Sequence, residues 1–165
     1  MFTRPFIDSL DFAINGRKIS DVVPIAEMPR LLGELDSSQG ILSYTVHGGL
    51  DSWGTPLLDV RVSGDCRLRC QRCLNAMNYP VCIEARLMLR DQAGLDALGD
   101  DDEAFDSILA EAHLDVLNLL EEEILLSLPI APRHEPGDCL VAGGESASRD
   151  AKNPFAVLTK LKVVK

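Results

Sequence analysis

The stretch that decides the fold is Leu58-Asp-Val-Arg-Val-Ser-Gly-Asp-Cys-Arg-Leu-Arg-Cys70, in which every second residue is apolar or small. The residues between them are polar or charged. Because successive side chains of a β-strand point to opposite faces of the sheet, this alternation predicts a long, half-buried strand with a charged outer face. Cys66 shares the parity of Val62 and Leu68, so we expect its side chain to point into the core.

Two further strands are predicted beside this one. A second alternating run follows Pro80, with Val81, Ile83 and Leu87 among its apolar positions. The nine residues 70–78 between the runs are few enough for a hairpin connection. Residues 41–48 alternate in the same way. These patterns predict an antiparallel sheet.

A helix is predicted over residues 115–128. Asp115 is a natural N-cap, and Pro129 and Pro132 stop the helix. The predicted apolar stripe comprises Leu117, Leu120, Ile124 and Leu128, widened by Val116, Leu119 and Leu126. We expect Glu121, Glu122 and Glu123 to form its solvated sector. Packing the stripe on the apolar face of the hairpin gives an α+β fold, with a curved antiparallel sheet, a packed C-terminal helix and a flexible C-terminal tail.

The chain divides into one domain and a tail. Residues 1–136 are expected to form a single α+β domain, with a short helix within 19–35 and a possible returning strand at 103–109. Residues 137–152, rich in Gly, Ser, Ala and Asp, are typical of a flexible linker. Residues 153–165 are predicted to form a short helical motif.

The C-terminal motif has its own start signal and apolar face. Asn153 is a suitable N-cap, and Pro154 fits the first helical position. Phe155, Leu158 and Leu161 then share one face. We expect this face to dock on the domain itself or on a protein partner.

Composition restricts the classes of function. The 165 residues include 16 basic and 26 acidic side chains, a formal charge of -10. Phosphate-driven binding over the whole surface needs clustered Lys and Arg, so it is disfavoured, whereas basic partners such as ribosomal proteins are favoured. The sequence contains no apolar run long enough to span a membrane and no signal-peptide pattern. We therefore expect a cytoplasmic protein.

The cysteines predict a metal site better than a disulfide framework, because they are odd in number and unevenly spaced. Cys70 and Cys73 have the Cys-x-x-Cys spacing that lets two thiolates bind one zinc ion. His134 and Cys139 follow the proline-stopped helix and could fold back to complete the site. The alternative is a reduced knuckle without metal. A thioredoxin-type redox role is disfavoured, since no βαβ pattern accompanies the motif.

Catalysis has little support in the sequence. It contains no Gly-rich phosphate loop, no His-Glu-x-x-His motif and no Gly-x-Ser-x-Gly motif. Its three histidines are scattered, and its carboxylates lie in solvated runs. We expect a protein that is not an enzyme.

A local group of arginines is predicted on the outer face of the hairpin. Arg61, Arg67 and Arg69 share one face of the first strand, and Arg72 lies at its turn. Two interpretations stay open. The arginines could pair with acidic residues of the same face, or they could contact RNA phosphates or an acidic partner.

Three stretches together resemble the YceD family of large ribosomal RNA subunit accumulation proteins. They are the strand leading into Cys70-Gln-Arg-Cys-Leu74, the segment from Leu114 through Pro129 to His134, and Asn153-Pro-Phe-Ala-Val-Leu-Thr-Lys-Leu-Lys162. Their order and separation also match, so the resemblance covers roughly residues 55–165.

The resemblance implies a non-catalytic factor that supports the synthesis, processing or stability of the large-subunit (23S) ribosomal RNA. Its expected partners are the precursor RNA or the assembling large-subunit particle. A zinc-ribbon-like adaptor that recruits a basic protein is the alternative. A thiol-redox or RNA-modifying enzyme is a third and weaker hypothesis.

Overall fold

The computed structural model describes residues 4–98 and 106–139. Its strands are β1 (Phe6–Ile7), β2 (Lys18–Pro24), β3 (Ile41–Leu50), β4 (Pro56–Arg69), β5 (Ala76–Arg90), β6 (Asp106–Leu109) and β7 (Leu114–Asp115). Its helices are α1 (Ser9–Ile14), α2 (Pro29–Leu32), α3 (Gln92–Asp96) and α4 (Val116–Ser127), with a 3-10 turn at Ile25–Glu27. The α+β class is confirmed.

Five of the strands form one sheet in the order β2-β3-β4-β5-β6, and β1 pairs separately with β7. The pairs from β2 to β5 are antiparallel, as predicted for β3, β4 and β5. The β5–β6 pair is parallel, so the sheet is mixed rather than wholly antiparallel. The parallel pairing is possible because a crossover that includes α3 returns the chain to the same end of the sheet.

Residues 19–35 hold more strand than the sequence predicted. A short helix does occur there, α2, but Lys18–Pro24 forms the edge strand β2. Its side chains are mostly exposed, and Val23 is the residue of this strand that is buried. The pattern of an edge strand with little burial is weak, which explains why the sequence did not reveal it.

The predicted parity of the central strands is confirmed. Leu42, Tyr44 and Val46 of β3 are buried, and so are Val62 and Cys66 of β4. Helix α1 lies close on this inner face. A Cβ added to Gly48 would lie 2.7 Å from the Cα of Ala13, so only glycine permits this approach of helix to strand.

Helix α4 also packs on the inner face and is capped as predicted. The Asp115 carboxylate accepts hydrogen bonds from the backbone N–H groups of Leu117 and Asn118. The stripe residues Val116, Leu117, Leu119, Leu120 and Ile124 are buried.

Three residues of α4 depart from the predicted faces. Glu123 was expected in solvent but is half-buried. Glu121 was expected in solvent but is only 1% exposed, whereas Leu126 was expected in the core and is 77% exposed. The reason is that α2 packs against α4 on the side that carries Glu121. This contact buries the surface of α4 around Glu121, while the opposite side of the helix, which carries Leu126, stays exposed to solvent. Within the described residues, no helix has the length and apolar character needed to cross a membrane.

Candidate metal centre

The turn between β4 and β5 places Cys70 and Cys73 close together. Cys70 accepts a backbone hydrogen bond from Leu74 N at 2.9 Å and donates one to Asn75 O at 3.0 Å. Leu74 has a φ of 62°, in the left-handed region that a non-glycine residue rarely adopts. Such strain is typical of functional sites, where the surrounding structure holds the backbone in place.

The chain that follows α4 folds back over this turn, and we call its residues 129–139 the returning segment. Gln71 N donates a hydrogen bond to Pro132 O at 2.8 Å, which fixes the returning segment beside the turn. His134 N approaches the Cys70 sulfur at 3.5 Å. The predicted return of His134 and Cys139 is therefore observed, and the two halves of the cluster come from positions more than 60 residues apart.

The four predicted ligand residues meet at one point. One donor atom from each of Cys70, Cys73, His134 and Cys139 lies within 4.8 Å of all the others. The Cys70 and Cys139 sulfurs are 3.7 Å apart. His134 Nδ1 lies 3.4 Å from the Cys73 sulfur and 3.8 Å from that of Cys139.

These distances suit a tetrahedral zinc ion. With Zn–S bonds of about 2.3 Å and Zn–N bonds of about 2.0 Å, tetrahedral angles place two sulfurs about 3.8 Å apart and a sulfur and nitrogen about 3.5 Å apart. Three thiolates and one imidazole are also a common donor set of structural zinc sites. The remaining cysteines lie elsewhere, with Cys66 buried in the core and Cys82 exposed on β5.

Hydrogen bonds at the turn prepare one thiol for metal binding. Desolvation alone would raise the pKa of Cys70, but backbone N–H groups of Cys73, His134 and Arg72 lower it to about 5. Burial and the adjacent Cys73 and Cys70 sulfurs raise the pKa of Cys139, against the opposing effect of Arg72. With a pKa lowered to about 5, Cys70 supplies a thiolate at neutral pH, the form in which a cysteine binds metal.

Arg72 lies between the two halves of the cluster. Its Nε donates to the Cys139 sulfur at 2.9 Å. Its terminal nitrogen NH2 donates to the backbone carbonyls of His134 at 3.4 Å and Glu135 at 3.3 Å. The Cys139 sulfur raises the pKa of Arg72, first through this hydrogen bond and then through its charge.

Comparison with known proteins gives the family. The family model described as "Large ribosomal RNA subunit accumulation protein YceD" matches residues 58–162. The chain belongs to the YceD family. A protein of that name from Haemophilus influenzae is 30% identical over 137 residues, which are 78% of this chain and 75% of the relative. No solved structure matches the chain.

The YceD match includes all four residues of the metal cluster and all four predicted RNA-contact arginines. It also includes residues 153–162, where Asn153, Pro154, Phe155, Leu158 and Leu161 were predicted to form a docking motif. That motif and residues 140–152 of the predicted linker lie outside the described residues.

Arg61, Arg67 and Arg69 form the arginine face of this YceD family member, on the outer side of β4. Most of these arginines are paired with carboxylates. Arg61 lies 3.5 Å from Glu84 on β5, and Arg69 lies 3.0 Å from Asp36. The pairing of Arg61 is the cross-strand interpretation left open above. Arg67 is exposed and makes no ion pair within the part of the chain that the structure describes. RNA contact by Arg61, Arg67, Arg69 and Arg72 stays a prediction.

The sequence did not reveal the partners of Arg69 and Arg72. Asp36 lies in the loop before β3, where no periodic pattern marks it as a neighbour of Arg69. The contacts of Arg72 with Cys139 and Glu135 depend on where each atom of the returning chain lies, which its predicted return over the turn does not specify.

Proposed function

We propose that this chain is a non-catalytic, cytoplasmic ribosome-biogenesis factor that supports the synthesis, processing or stability of large-subunit ribosomal RNA. The observation that carries the proposal is the family match over residues 58–162, because the family and the curated relative are both named for accumulation of this RNA. A structural zinc ion bound by Cys70, Cys73, His134 and Cys139 is part of the proposal, supported by the cluster's distances and donor types.

A structural role suits the cluster better than a catalytic one. Catalytic zinc sites keep a coordination position open for water or substrate, whereas four protein ligands close the tetrahedron. The thiol with the most strongly lowered pKa, Cys70, belongs to this closed set and is buried, so an attacking role for it is disfavoured.

Metal analysis of the purified protein tests the zinc component. We expect close to one zinc ion per chain in wild type and in Cys82→Ser, whose thiol lies outside the cluster. The Cys70→Ser variant should contain far less. A zinc content near zero in wild type prepared without chelator would show that the cluster is a reduced knuckle.

We propose that RNA contact is made through the outer face of β4. Arg67 is the residue best placed for it, because it has no competing ion pair among the described residues, while Arg61 and Arg69 would exchange exposed pairs for phosphates. Exposed pairs contribute little to stability, so such an exchange costs little. With so few cations, the binding constant should depend only weakly on salt, with a slope of log K against log salt of about -0.9 per phosphate contact on a duplex and less on a single strand.

Co-sedimentation with precursor large-subunit particles tests this contact. The variant Arg61→Ser/Arg67→Ser/Arg69→Ser should bind particles more weakly than wild type while it unfolds at a similar temperature. Arg17→Ser is the matched control, since Arg17 is exposed in an ion pair with Asp11, outside β4. Equal binding by the triple variant and the control would remove the arginine face from the proposal.

The zinc-ribbon-like adaptor is the second candidate. The formal charge of -10 and the engagement of Arg61, Arg69 and Arg72 within the protein favour a basic protein partner over RNA. Nuclease treatment before sedimentation separates the two functions. Association that survives nuclease digestion supports the adaptor, and association that is lost supports RNA contact.

A further inference from the structure

We infer that Arg72 is a positioning residue of the metal centre, which fastens its two halves together and offsets its charge. The inference rests on the zinc site of the proposed function. It gives Arg72 a role different from RNA contact, on the evidence of three hydrogen bonds: one to the sulfur of the cluster residue Cys139 and two to backbone carbonyls of the segment that carries His134 and Cys139.

The geometry is that of a clamp between two segments. Arg72 stands inside the Cys-x-x-Cys turn, yet each partner of its guanidinium belongs to the returning segment. One edge of the guanidinium bonds the Cys139 sulfur, and a terminal nitrogen bonds the carbonyls of His134 and Glu135. The planar fork of an arginine can make such bonds at once, whereas the point charge of a lysine cannot.

The returning segment has few other attachments to the turn. Among the described residues, backbone contacts are made by Gln71 N with Pro132 O and by His134 N with the Cys70 sulfur. Cys139 follows both of these contacts along the chain. Its sulfur is placed by Arg72 and by the cluster itself, so it is the ligand most dependent on the clamp.

Charge gives Arg72 a second effect. Three thiolates and a neutral imidazole around Zn²⁺ carry a net charge of about -1. Glu135 and Asp138 lie in the returning segment and add negative charge near the site. The Arg72 cation in contact with Cys139 offsets this excess. Partners that hold the ligands of a metal in this way typically alter its affinity about 10-fold to 100-fold.

Metal affinity and cobalt spectroscopy test the inference. Zinc affinity is measured by competition with a chromophoric chelator for wild type, Arg72→Gln, Arg72→Lys and the control Arg67→Gln. Arg67 is an exposed arginine of the adjacent strand β4, and among the described residues its side chain makes no hydrogen bond or ion pair with the cluster. We expect a loss of about 10-fold to 100-fold for Arg72→Gln, a smaller loss for Arg72→Lys, which keeps the charge, and none for Arg67→Gln.

Spectra of the cobalt-substituted proteins distinguish a change in the position of the ligands from a general loss of stability. Loss of the N–H···S bond should shift the thiolate-to-cobalt charge-transfer band in both Arg72 variants, even in fully loaded samples. The band should not move in Arg67→Gln.

Two different failures can be told apart. If wild type binds zinc tightly and Arg72→Gln matches it in affinity and in the cobalt spectrum, the inference is wrong and the zinc site stands. If wild type itself binds neither metal, the zinc component of the proposed function is wrong, and the role of Arg72 falls with it.

Discussion

The Glu121 carboxylate joins two helices that are distant in sequence. Its Oε1 accepts hydrogen bonds from the backbone N–H groups of Arg30 at 2.9 Å and Leu31 at 3.3 Å, in the first turn of α2. The first N–H groups of a helix have no partner within it, and a negative charge there also interacts favourably with the helix dipole. Glu121 therefore caps α2 from α4 and fixes how the two helices pack.

Replacement of Glu121 should destabilise the protein markedly. Glu121→Ala leaves two N–H groups without their acceptor and opens a cavity, so we expect a loss of about 2–4 kcal/mol in the free energy of unfolding. Glu121→Gln keeps an acceptor oxygen and should lose less. Glu122→Ala, at an exposed neighbouring position, should change stability by about 0.5 kcal/mol or less. Urea unfolding of the three variants provides the measurement, and equal midpoints for Glu121→Ala and Glu122→Ala would contradict the capping role.

For individual residues, the sequence predicts those contacts that the spacing of nearby residues indicates. Cys70 and Cys73 were found because their spacing is itself the signal, and His134 and Cys139 because they follow a proline-stopped helix. Glu121 was misassigned because its neighbours Glu122 and Glu123 suggest solvent, while its partners lie about 90 residues away. The sequence around Glu121 contains no signal of hydrogen-bond donors so far away in the chain.

At the scale of elements, the strength of a pattern decides what can be predicted. The alternation in β4 and β5 extends over many residues with one face buried, so strand, register and the exposure of Arg61 and Arg67 follow from it. Helix α4 was predicted nearly to the residue because both of its ends have chemical signals. The parallel pairing of the four-residue β6 could not be predicted, since it depends on the crossover after β5, for which the sequence has no periodic pattern.

Glu123 of α4 is half-buried and feels the charges of two other carboxylates, which makes stability depend on pH. Desolvation raises the pKa of Glu123, and the charges of Asp106 and Glu122 raise it further. The folded protein therefore holds this proton more tightly than the unfolded chain does. Stability should fall as pH rises from the ordinary carboxyl range through the raised pKa of Glu123, and the penalty persists above it.

Glu123→Gln should remove this penalty. We expect the variant to melt at a higher temperature than wild type at about pH 8, with a difference that shrinks towards about pH 5. Glu27→Gln is the control, because Glu27 is exposed and is not among the charges that raise the pKa of Glu123. Thermal melts across this pH series make the comparison. A difference between Glu123→Gln and wild type that stays constant with pH would contradict the assignment.

For the molecule as a whole, the sheet and the metal cluster stabilise different parts. Helices α1 and α4 bury the inner face of the sheet, and that core includes neither His134 nor Cys139. Residues 129–139 form no helix or strand, and the cluster and its hydrogen bonds join them to the turn between β4 and β5. The binding energy of a structural zinc would therefore act on this segment, since free energy of metal binding becomes free energy of folding.

Metal removal should release residues 129–139 and leave the sheet folded. Arg133 is exposed in that segment and offers a cleavage site for trypsin. After chelation, cleavage at Arg133 should become much faster, while cleavage at Arg17, in the turn between α1 and β2, should keep its rate. Mass spectrometry of early digestion products gives both rates. Unchanged protection of Arg133 after complete metal loss would show that packing alone holds the segment.

The dependence of cellular function on the metal cluster is tested with two cysteines of the same chain. Cys73 is a ligand of the cluster, whereas Cys82 is exposed on the outer face of β5. In cells that lack the protein, Cys82→Ser should restore the ratio of large-subunit to small-subunit ribosomal RNA. Cys73→Ser should leave the ratio close to that of the deletion strain, because serine cannot replace the thiolate and the returning segment loses its anchor. Immunoblots confirm equal amounts of the two variants, so that degradation does not explain the difference. If Cys73→Ser restores the ratio at an equal protein level, the cluster stabilises the protein but is not needed for its effect on ribosomal RNA. That effect would then depend on another surface, and the outer face of β4 is the first one to test.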